Sequence, residues 1–353
     1  MTQVQNAEAA PPEPSAVHDR APARSVPARI WAGTRQFRPV LLLLIAAIVV
    51  FAIAEERFFT ISNFENLLTA ICVLWVVSMG MTFALLSGGA DLSVGALAAL
   101  VGIFLAKVLA LGLPGWLAVV LAILFGTIVG GTINGILVGR LGLSFFVVTL
   151  ATMTAFTGVV NLWSGTESFF VTEPIVQQLA VRDLAGIPTP IWIMTATFLI
   201  ALYVQRRTYF GRDVYAVGGS LTAARLSGIR TERTLIAVYA VVALAASVGG
   251  VLAVGRIGAA SPQVDGVLPL LAIAAVLLGG TSLFGGQGGV TGTALGVLFI
   301  GVLQNGLSIA GVPSFWQQVV TGVILVAAML GDRVRLGRGW LPWRRPAAAP
   351  STG

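Results

Sequence analysis

Long apolar segments, repeated along the whole chain, restrict what this protein can fold into more than any other feature of its sequence. A bilayer core of about 30 Å requires roughly 17–25 apolar residues per spanning helix, with every backbone polar group hydrogen-bonded within the segment. Ten segments reach or approach that length. They run approximately over Val40–Ala54, Leu67–Leu86, Ser93–Leu109, Trp116–Val138, Ser144–Trp163, Ile191–Val204, Leu235–Val254, Leu268–Leu278, Val290–Leu307 and Phe315–Leu330. We therefore expect an all-α polytopic membrane protein of about ten transmembrane helices.

The composition favours the same class and removes several kinds of chemistry. Hydrophobic residues make up 57% of the 353 residues and charged residues only 10%, whereas about a quarter charged is typical of soluble domains. Cys72 is the one cysteine and His18 the one histidine, so the chain lacks the several ligands that a disulfide or a thiolate or imidazole zinc site needs. The residues available also do not group a nucleophile, a base and an orienting group. We expect no enzymatic activity, no metal and no cofactor.

The basic residues predict the orientation of the chain, because positive charge favours the cytoplasmic side of a membrane. In the ten-span arrangement 17 of the 21 basic residues fall on one side. The four on the other side are Arg57, Lys107, Arg182 and Arg256. We therefore expect both termini in the cytoplasm and the segments Thr166–Pro188 and Gly255–Gly266 outside. The net charge of +7 reflects this topology, and the sequence lacks the aromatic residues interleaved with basic ones that would indicate nucleic-acid binding.

The chain divides by composition into two tails and a membrane domain. Residues 1–38 are rich in Pro and Ala and predict a disordered cytoplasmic tail. Residues 39–335 form the transmembrane domain, in which 205–233 is a cytoplasmic loop, and 336–353 form a cytoplasmic C-terminal tail. Ala52-Ile53-Ala54 also resembles a cleavage site, so the first apolar segment can be interpreted as a signal peptide. Its leader of nearly forty residues is long for one, and the retained span fits the charge distribution.

Two glycine-rich segments indicate an internal repeat. Gly126–Leu141 and Gly292–Leu307 are identical at six of sixteen positions. They lie in spans four and nine, which would cross the membrane in opposite directions, as in inverted-repeat transporters. The glycine-rich composition of both helices is the alternative explanation. In either case, small residues four apart let helix backbones approach closely; they are Gly126 and Gly130, Gly131 and Gly135, and Gly292 and Gly296.

The segment Gln205–Arg233 is the one sizeable polar connection expected in the cytoplasm between spans. It reads QRRTYFGRDVYAVGGSLTAARLSGIRTER. After the Gly218-Gly219 pair we expect a short helix over Leu221–Leu226, with Ser220 as its N-cap and Gly228 at its end. A short helix on a cytoplasmic loop suits docking into a groove of a soluble partner. A basic loop that only fixes topology is the alternative.

Three motifs resemble those of the permeases of ribose, xylose, arabinose and galactose ABC importers. The first is Gly211-Arg212-x-x-Tyr215-Ala216-x-Gly218-Gly219 followed by Ala223-Ala224-Arg225-Leu226-Ser227-Gly228-Ile229. The second is Gly88-Gly89-Ala90-Asp91-Leu92-Ser93-Val94-Gly95, and the third is Leu278-Gly279-Gly280-Thr281-Ser282-Leu283-x-Gly285-Gly286-x-Gly288. The resemblance covers roughly residues 40–335.

The resemblance implies a membrane subunit that pairs with a second copy of itself and lies in the bacterial inner membrane. It also implies that the subunit binds an ABC ATPase through the cytoplasmic loop and receives a neutral sugar or polyol from an extracytoplasmic binding protein. The residues it assigns to ATPase coupling are Gly211, Arg212, Gly218, Ala223, Ala224, Arg225, Ser227 and Gly228. Hydrolysis of ATP would belong to the partner, because the Gly279–Gly289 stretch lacks the Gly-Lys-Ser/Thr ending of a phosphate-binding loop.

A second set of residues is expected to have structural or gating roles. They are Gly88, Gly89, Asp91, Gly279 and Gly280. A carboxylate within a membrane-embedded helix is costly, but Asp91 lies between spans two and three, where it can cap the third span. A part in gating or in contact with the ATPase is the other interpretation.

Polar residues in the spans and on the outer side are candidates for contact with substrate and binding protein. Asn134, Thr149, Thr152, Gln304 and Asn305 would line the substrate pathway and bond to a hydroxylated molecule. Each could equally bond to a neighbouring helix. Arg256 and Asp265 bracket the Gly255–Gly266 loop and would meet the binding protein, although Arg256 could also be an interfacial anchor.

Two alternatives for the substrate and the energy source remain. The chain has Thr157 where the sugar permeases often carry an arginine, which keeps a branched-chain amino acid or a nucleoside open as the substrate. An ion-coupled secondary transporter would usually carry an ionisable residue inside a span. No acidic residue falls inside the ten predicted segments, which favours the ATP-driven class.

Overall fold

The structure is a computed structural model that describes residues 37–335. Most of the predicted N-terminal tail and the whole C-terminal tail lie outside the described residues. The α-helices, in chain order, are α1 (Arg38–Ala54), α2 (Ile61–Leu86), α3 (Val94–Ala110), α4 (Gly115–Asn134), α5 (Phe145–Ser164), α6 (Pro174–Val181), α7 (Thr189–Arg207), α8 (Tyr209–Gly219), α9 (Leu221–Leu226), α10 (Thr231–Ile257), α11 (Leu268–Leu278), α12 (Val290–Ile309) and α13 (Ser314–Arg335).

The helical membrane class predicted from the sequence is confirmed. Among the described residues, five helical stretches are long and apolar enough to cross a membrane. They are α2, α4 with its extension Gly135–Arg140, α5, α10 and α12. The helices α1, α3 and α11 are also apolar but are shorter, at 10–17 residues.

Most helix boundaries agree with the apolar segments, and the differences have local causes. α11 has the predicted bounds and ends at Gly279, and α4 continues as a π-helical turn over Gly135–Arg140. α7 extends to Arg207 and α10 begins at Thr231, so both ends of the predicted 205–233 loop are helical. α6 was not predicted, because its eight residues fall within a segment interpreted as an external connection.

The position of Arg256 corrects one prediction. The sequence places it in a Gly255–Gly266 loop, but Arg256 lies in the last turn of α10, which ends at Gly258 in the left-handed conformation. The true connection is therefore shorter. The hydrophobic pattern could not mark this end, because a charged residue in the final helical turn looks the same in sequence as one in a loop.

α10 lies at the centre of the fold, where it packs against α2, α3 and α4. The contacts are close because they are made through small residues. A Cβ added to Gly131 on α4 would come within 2.7 Å of the Cα of Ala240. A Cβ added to Gly80 on α2 would come within 2.6 Å of the Cβ of Ala245.

The two similar glycine-rich segments have corresponding neighbours. α4 packs against α3, which precedes it in the chain, and against α10; α12 packs against α11, which precedes it, and against α2. The aligned glycines make the contacts: a Cβ on Gly130 would collide with Leu97 of α3, and a Cβ on Gly296 would collide with the backbone of Ala275 on α11.

Short strands tie together the connections at one end of the helices. β1 (Phe169–Phe170) pairs antiparallel with β4 (Ala259–Ala260), which follows α10. β2 (Asp183–Leu184) and β3 (Ile187–Pro188) form a small hairpin before α7. α6 lies between them and packs closely on α10, since a Cβ on Gly255 would collide with the Val176 carbonyl oxygen.

Candidate functional site

A cavity of about 640 Å³ lies between the first half of α2, the last turns of α10, the start of α11 and the second half of α12. Its wall is largely aliphatic, with Leu67, Ile71, Leu74, Leu268 and Leu271 among the lining residues. Its polar lining consists of Arg256, Asp265, Gln304, Asn305, Ser308 and Gln317. The cavity therefore combines an apolar wall with a few amide, hydroxyl and charged groups, as is typical of small-molecule sites.

The two charged residues of the cavity are both fixed by backbone groups. Arg256 donates from Nη1 to the carbonyl oxygen of Ala70 at 3.0 Å, across to α2. Asp265 accepts at Oδ1 from the backbone N–H groups of Val267 and Leu268 at 2.9 and 3.1 Å. This carboxylate thus pairs with backbone N–H groups at the start of α11, where a negative charge is favoured by the helix dipole.

Asn305 is held by a partner that sequence reasoning missed. The side-chain amides of Asn63 and Asn305 donate to each other's oxygens at 3.1 and 2.9 Å. Asn63 also donates to the carbonyl oxygen of Phe58 at 2.9 Å. Of the two predicted roles for Asn305, the helix-to-helix bond is therefore present, on the wall of the cavity. The adjacent Gln304 and Asn305, with Ser308 one turn later near the end of α12, are the sequence signal that marks this wall.

A smaller cavity of about 180 Å³ adjoins the first and shares Val73, Ala253, Ile257, Asp265 and Leu268 with it. Ser261 and Gln263, which the sequence did not single out, add polar groups to its lining. Gly95 of α3 meets Asp265 here, because a Cβ on Gly95 would collide with the Asp265 carbonyl oxygen. The backbones of α3 and of the segment before α11 are thus in direct contact beside the cavity.

Asp91 forms a separate buried site. Its carboxylate accepts from the Ser93 backbone N–H at 2.8 Å, from the Ser93 hydroxyl at 2.6 Å and from the Asn134 amide at 3.0 Å. The Tyr239 hydroxyl donates to the neighbouring Ala90 carbonyl oxygen at 3.4 Å. The carboxylate therefore organises the turn that leads into α3 and links it to α4. Asn134 is engaged in this site and is not among the residues that line the larger cavity.

The remaining predicted pathway residues, Thr149 and Thr152, are buried on α5. Thr152 donates to the Thr149 carbonyl oxygen at 3.2 Å, and the Thr149 hydroxyl has no hydrogen-bond partner among the described residues. Neither lines the larger cavity. The structure thus brings Gln304 and Asn305 together with Arg256 and Asp265, and leaves the other three predicted pathway residues elsewhere.

The polar segment after α7 folds as two short helices. The Thr208 hydroxyl accepts from the Gly211 N–H at 3.1 Å and so caps α8. The predicted helix Leu221–Leu226 is confirmed, as is its cap, in which the Ser220 hydroxyl accepts from the Ala223 N–H at 3.2 Å. Gly228 follows at a φ of +82°, in the left-handed region that favours glycine at a helix end.

The side chains of the predicted coupling segment differ in how far they are exposed. Leu226 is 85% exposed, whereas Ala224 is only 3% exposed within this chain. Arg212 stacks over the exposed ring of Tyr209, 4.4 Å from its centroid, and Arg225 donates to the Thr231 hydroxyl at 3.1 Å. Ala224 therefore faces the chain itself, and Leu226 is the most exposed apolar side chain of α9.

This polar segment and the end of α7 are both hydrogen-bonded to the glycine-rich loop between α11 and α12. The Tyr215 hydroxyl donates to the Gly288 carbonyl oxygen at 2.6 Å, and Gln205 accepts from the Val290 N–H at 2.9 Å. Burial raises the pKa of the Tyr215 phenol above its usual value, so this hydroxyl keeps its proton. Gly279 and Gly280 lie at the start of the same loop, where Gly279 packs against the backbone of Gly292 and Gly280 has a φ of +88°.

Comparison with known proteins gives one family and several similar chains. Residues 63–329 match the family model described as "Branched-chain amino acid transport system / permease component". The ribose import permease protein RbsC of Escherichia coli K12 is 37% identical over 311 residues, which is 85% of this chain and 97% of that protein.

Two other permeases of Escherichia coli K12 are similar over nearly their whole length. The D-allose transport system permease protein AlsC is 34% identical, over 83% of this chain and 90% of that protein. The xylose transport system permease protein XylH is 30% identical, over 86% of this chain and 94% of that protein. No solved structure matches the chain.

Proposed function

Since the chain belongs to the family of branched-chain amino acid transport system permease components, we propose that it is the membrane subunit of a sugar ABC importer in the bacterial inner membrane. Its resemblance to the ribose, allose and xylose permeases over most of its length supports the assignment to sugars. The substrate is a neutral monosaccharide or polyol. The subunit forms the translocation pathway, and a partner ATPase hydrolyses ATP.

The larger cavity is the observation that carries this proposal. Its volume of about 640 Å³ lies within the roughly 300–1,000 Å³ of small-molecule sites. Gln304 and Ser308 supply an amide and a hydroxyl beside an aliphatic wall. Such groups bond to sugar hydroxyls, while the aliphatic side chains pack on the C–H faces of the ring.

The proposed topology has ten spans, α1–α5, α7 and α10–α13, with both termini in the cytoplasm. The division of 17 basic residues against four supports it. In that arrangement the cavity lies in the outer half of the membrane, because it is built from the start of α2 and the end of α10. The corresponding packing of α4 and α12 supports an inverted repeat.

The same topology assigns faces to the partners. α8 and α9 lie in the cytoplasm, and the exposed Leu226 offers an apolar contact for a groove on the ATPase. Arg256 and the β1–β4 and β2–β3 connections lie outside, where the binding protein releases its ligand. Exposed apolar side chains on the flanks, such as Leu42, Ile128 and Leu199, face lipid or a second copy of the chain.

A branched-chain amino acid is the second candidate substrate, because the cavity contains both a cation and an anion. Arg256 and Asp265 line it together, and a zwitterion presents one group for each. The matched family is also described by amino acid transport. Against this, both side chains are already engaged with backbone groups, and the three similar permeases are named for sugars.

Competitive uptake tests the proposal. Cells that express the chain with its ATPase and binding protein would be given radiolabelled ribose, xylose, allose and leucine. We expect ATP-dependent uptake of a sugar that excess leucine does not reduce. Uptake of leucine that no sugar reduces would overturn the sugar assignment, and uptake that persists without the ATPase would overturn the importer class.

A further inference from the structure

Glycines from three distant parts of the chain meet backbone on backbone beside the cytoplasmic helices. Gly88 follows α2, Gly218 lies in the last turn of α8, and Gly285 and Gly286 lie in the loop between α11 and α12. We name these four residues the glycine junction. The Gly286 N–H donates to the Leu86 carbonyl oxygen at 2.9 Å, so two of the segments are also hydrogen-bonded.

The contacts of Gly218 leave no room for a side chain. An added Cβ would collide with the Leu86 carbonyl oxygen and lie 2.7 Å from the Gly286 nitrogen. A Cβ on Gly285 would lie 2.8 Å from the Gly88 nitrogen and 2.9 Å from the Cα of Gly218. Each segment of the glycine junction therefore touches the other two.

The backbone conformation at position 218 does not explain why this residue is a glycine. Gly88, Gly285 and Gly286 have φ values of +84°, +85° and +73°, which by themselves favour glycine. Gly218 lies in the last turn of α8 and has no such φ. Glycine is a poorer helix former than alanine, so the close approach is what requires glycine at this position.

The glycine junction connects the exposed cytoplasmic helices to the cavity. α9 follows α8 directly, and Tyr215 and Gln205 bond to Gly288 and Val290 on the far side of the loop. That loop joins α11 and α12, both of which line the cavity through residues such as Leu268 and Gln304. Close-packed backbones have no long side chains to absorb a displacement, so α8 and the loop must move together.

We propose that the glycine junction transmits movement of α8 and α9, driven by the ATPase, to α11, α12 and the turn after α2, with Gly218 as its central positioning residue. This rests on the proposed function as an ATP-driven permease. Gly218 contacts neither substrate nor nucleotide in this proposal. Its role is to let α8 seat on Leu86 and Gly286, so that ATP hydrolysis and opening of the cavity stay coupled.

Replacement of the two adjacent glycines tests the proposal. Gly218→Ala puts a methyl group into the contact, whereas Gly219→Ala places it where no atom lies within 4 Å. The complete importer would be reconstituted in liposomes, and sugar uptake and ATP hydrolysis would be measured on the same sample. We expect Gly218→Ala to keep the ATPase bound and to lower the ratio of uptake to hydrolysis about tenfold or more, and Gly219→Ala to change it less than about twofold.

A gentler pair of variants keeps the test informative if Gly218→Ala does not fold. Tyr215→Phe removes only the hydroxyl that donates to Gly288, and Tyr209→Phe removes that of an exposed ring. We expect the first to lower the ratio several-fold and the second to leave it unchanged. Normal ratios in Gly218→Ala and Tyr215→Phe would overturn the proposal, as would equal losses in both members of a pair. An unmodified chain that neither binds the ATPase nor shows ATP-dependent uptake would instead overturn the proposed function.

Discussion

Asn134 of α4 donates its side-chain amide to the buried carboxylate of Asp91 at 3.0 Å and to the Ser93 hydroxyl at the same distance. One amide thereby holds the turn before α3 against the end of α4. Among the described residues, no basic side chain forms a salt bridge with Asp91, so the energy of this carboxylate depends on its hydrogen bonds.

Asn134→Leu should destabilise the protein, because it leaves an oxygen of Asp91 buried without a donor. An unsatisfied buried polar group typically costs about 1–3 kcal/mol, and more when it is charged. Thermal unfolding of the detergent-purified protein would measure the loss as a fall in Tm. Asn161→Leu, at an exposed position on α5, is the control and should leave the Tm nearly unchanged. Equal Tm values for the two variants would contradict the proposed dependence of the Asp91 carboxylate on its hydrogen bond from Asn134.

Gln304→Leu should lower sugar uptake about tenfold or more without loss of ATPase binding. It removes an amide from the cavity lining and leaves a sugar hydroxyl unpaired, at a cost of about 1–3 kcal/mol. Gln318→Leu on α13 is the matched control, since Gln318 is exposed and does not line the cavity. Normal uptake by Gln304→Leu would remove this residue from the substrate pathway.

Leu226→Glu should abolish co-purification of the ATPase while the chain still reaches the membrane. Leu226 is exposed, so its replacement disturbs little within the chain, but burial of an unpaired charge in a groove costs several kcal/mol. Leu184→Glu, on the exposed β2–β3 hairpin, should not affect ATPase binding. The buried Ala224 is a poorer position for this test, because a glutamate there would first disturb the chain itself.

Arg256→Gln should weaken docking of the binding protein and reduce the dependence of that docking on salt. Charges at the rim of an interface act mainly on association and are screened by ions. Stimulation of ATP hydrolysis by increasing binding protein would be measured at two ionic strengths. Lys107→Gln is the control, since Lys107 lies over the Phe169 ring, 5.3 Å from its centroid, away from the cavity. The same response in both variants would argue that Arg256 is only an anchor.

Cysteines placed singly in a Cys72→Ala background would test the topology with an impermeant thiol reagent. Cys72 is buried on α2, so its removal clears the background. We expect labelling of Glu167→Cys from outside intact cells and none of Arg212→Cys. Labelling of Arg212→Cys from outside would reverse the proposed orientation.

Local patterns predicted much of this structure, and long-range contacts were beyond them. The apolar run Leu268–Leu278 and the cap of Ser220 on α9 are properties of adjacent residues, so both could be read from the sequence. The pairing of Asn63 with Asn305 joins residues 242 positions apart, which one sequence does not reveal. The burial of Ala224 and the separation of Asn134 from Gln304 likewise depend on how helices pack. The hydrophobicity of the helices specifies that they pack together, but not how they pack.

α11 has 11 residues, so at 1.5 Å per residue it is only about 16 Å long, roughly half of a bilayer core. In the proposed topology, solvent that fills the outer cavity down to Asp265 would be separated from the cytoplasm by little more than this short helix and its contact with α12. The membrane voltage would then fall mainly across that thin partition. Its close seam, where Gly279 meets Gly292 and Gly296 meets Ala275, would be the barrier that prevents protons and ions from leaking while sugar passes.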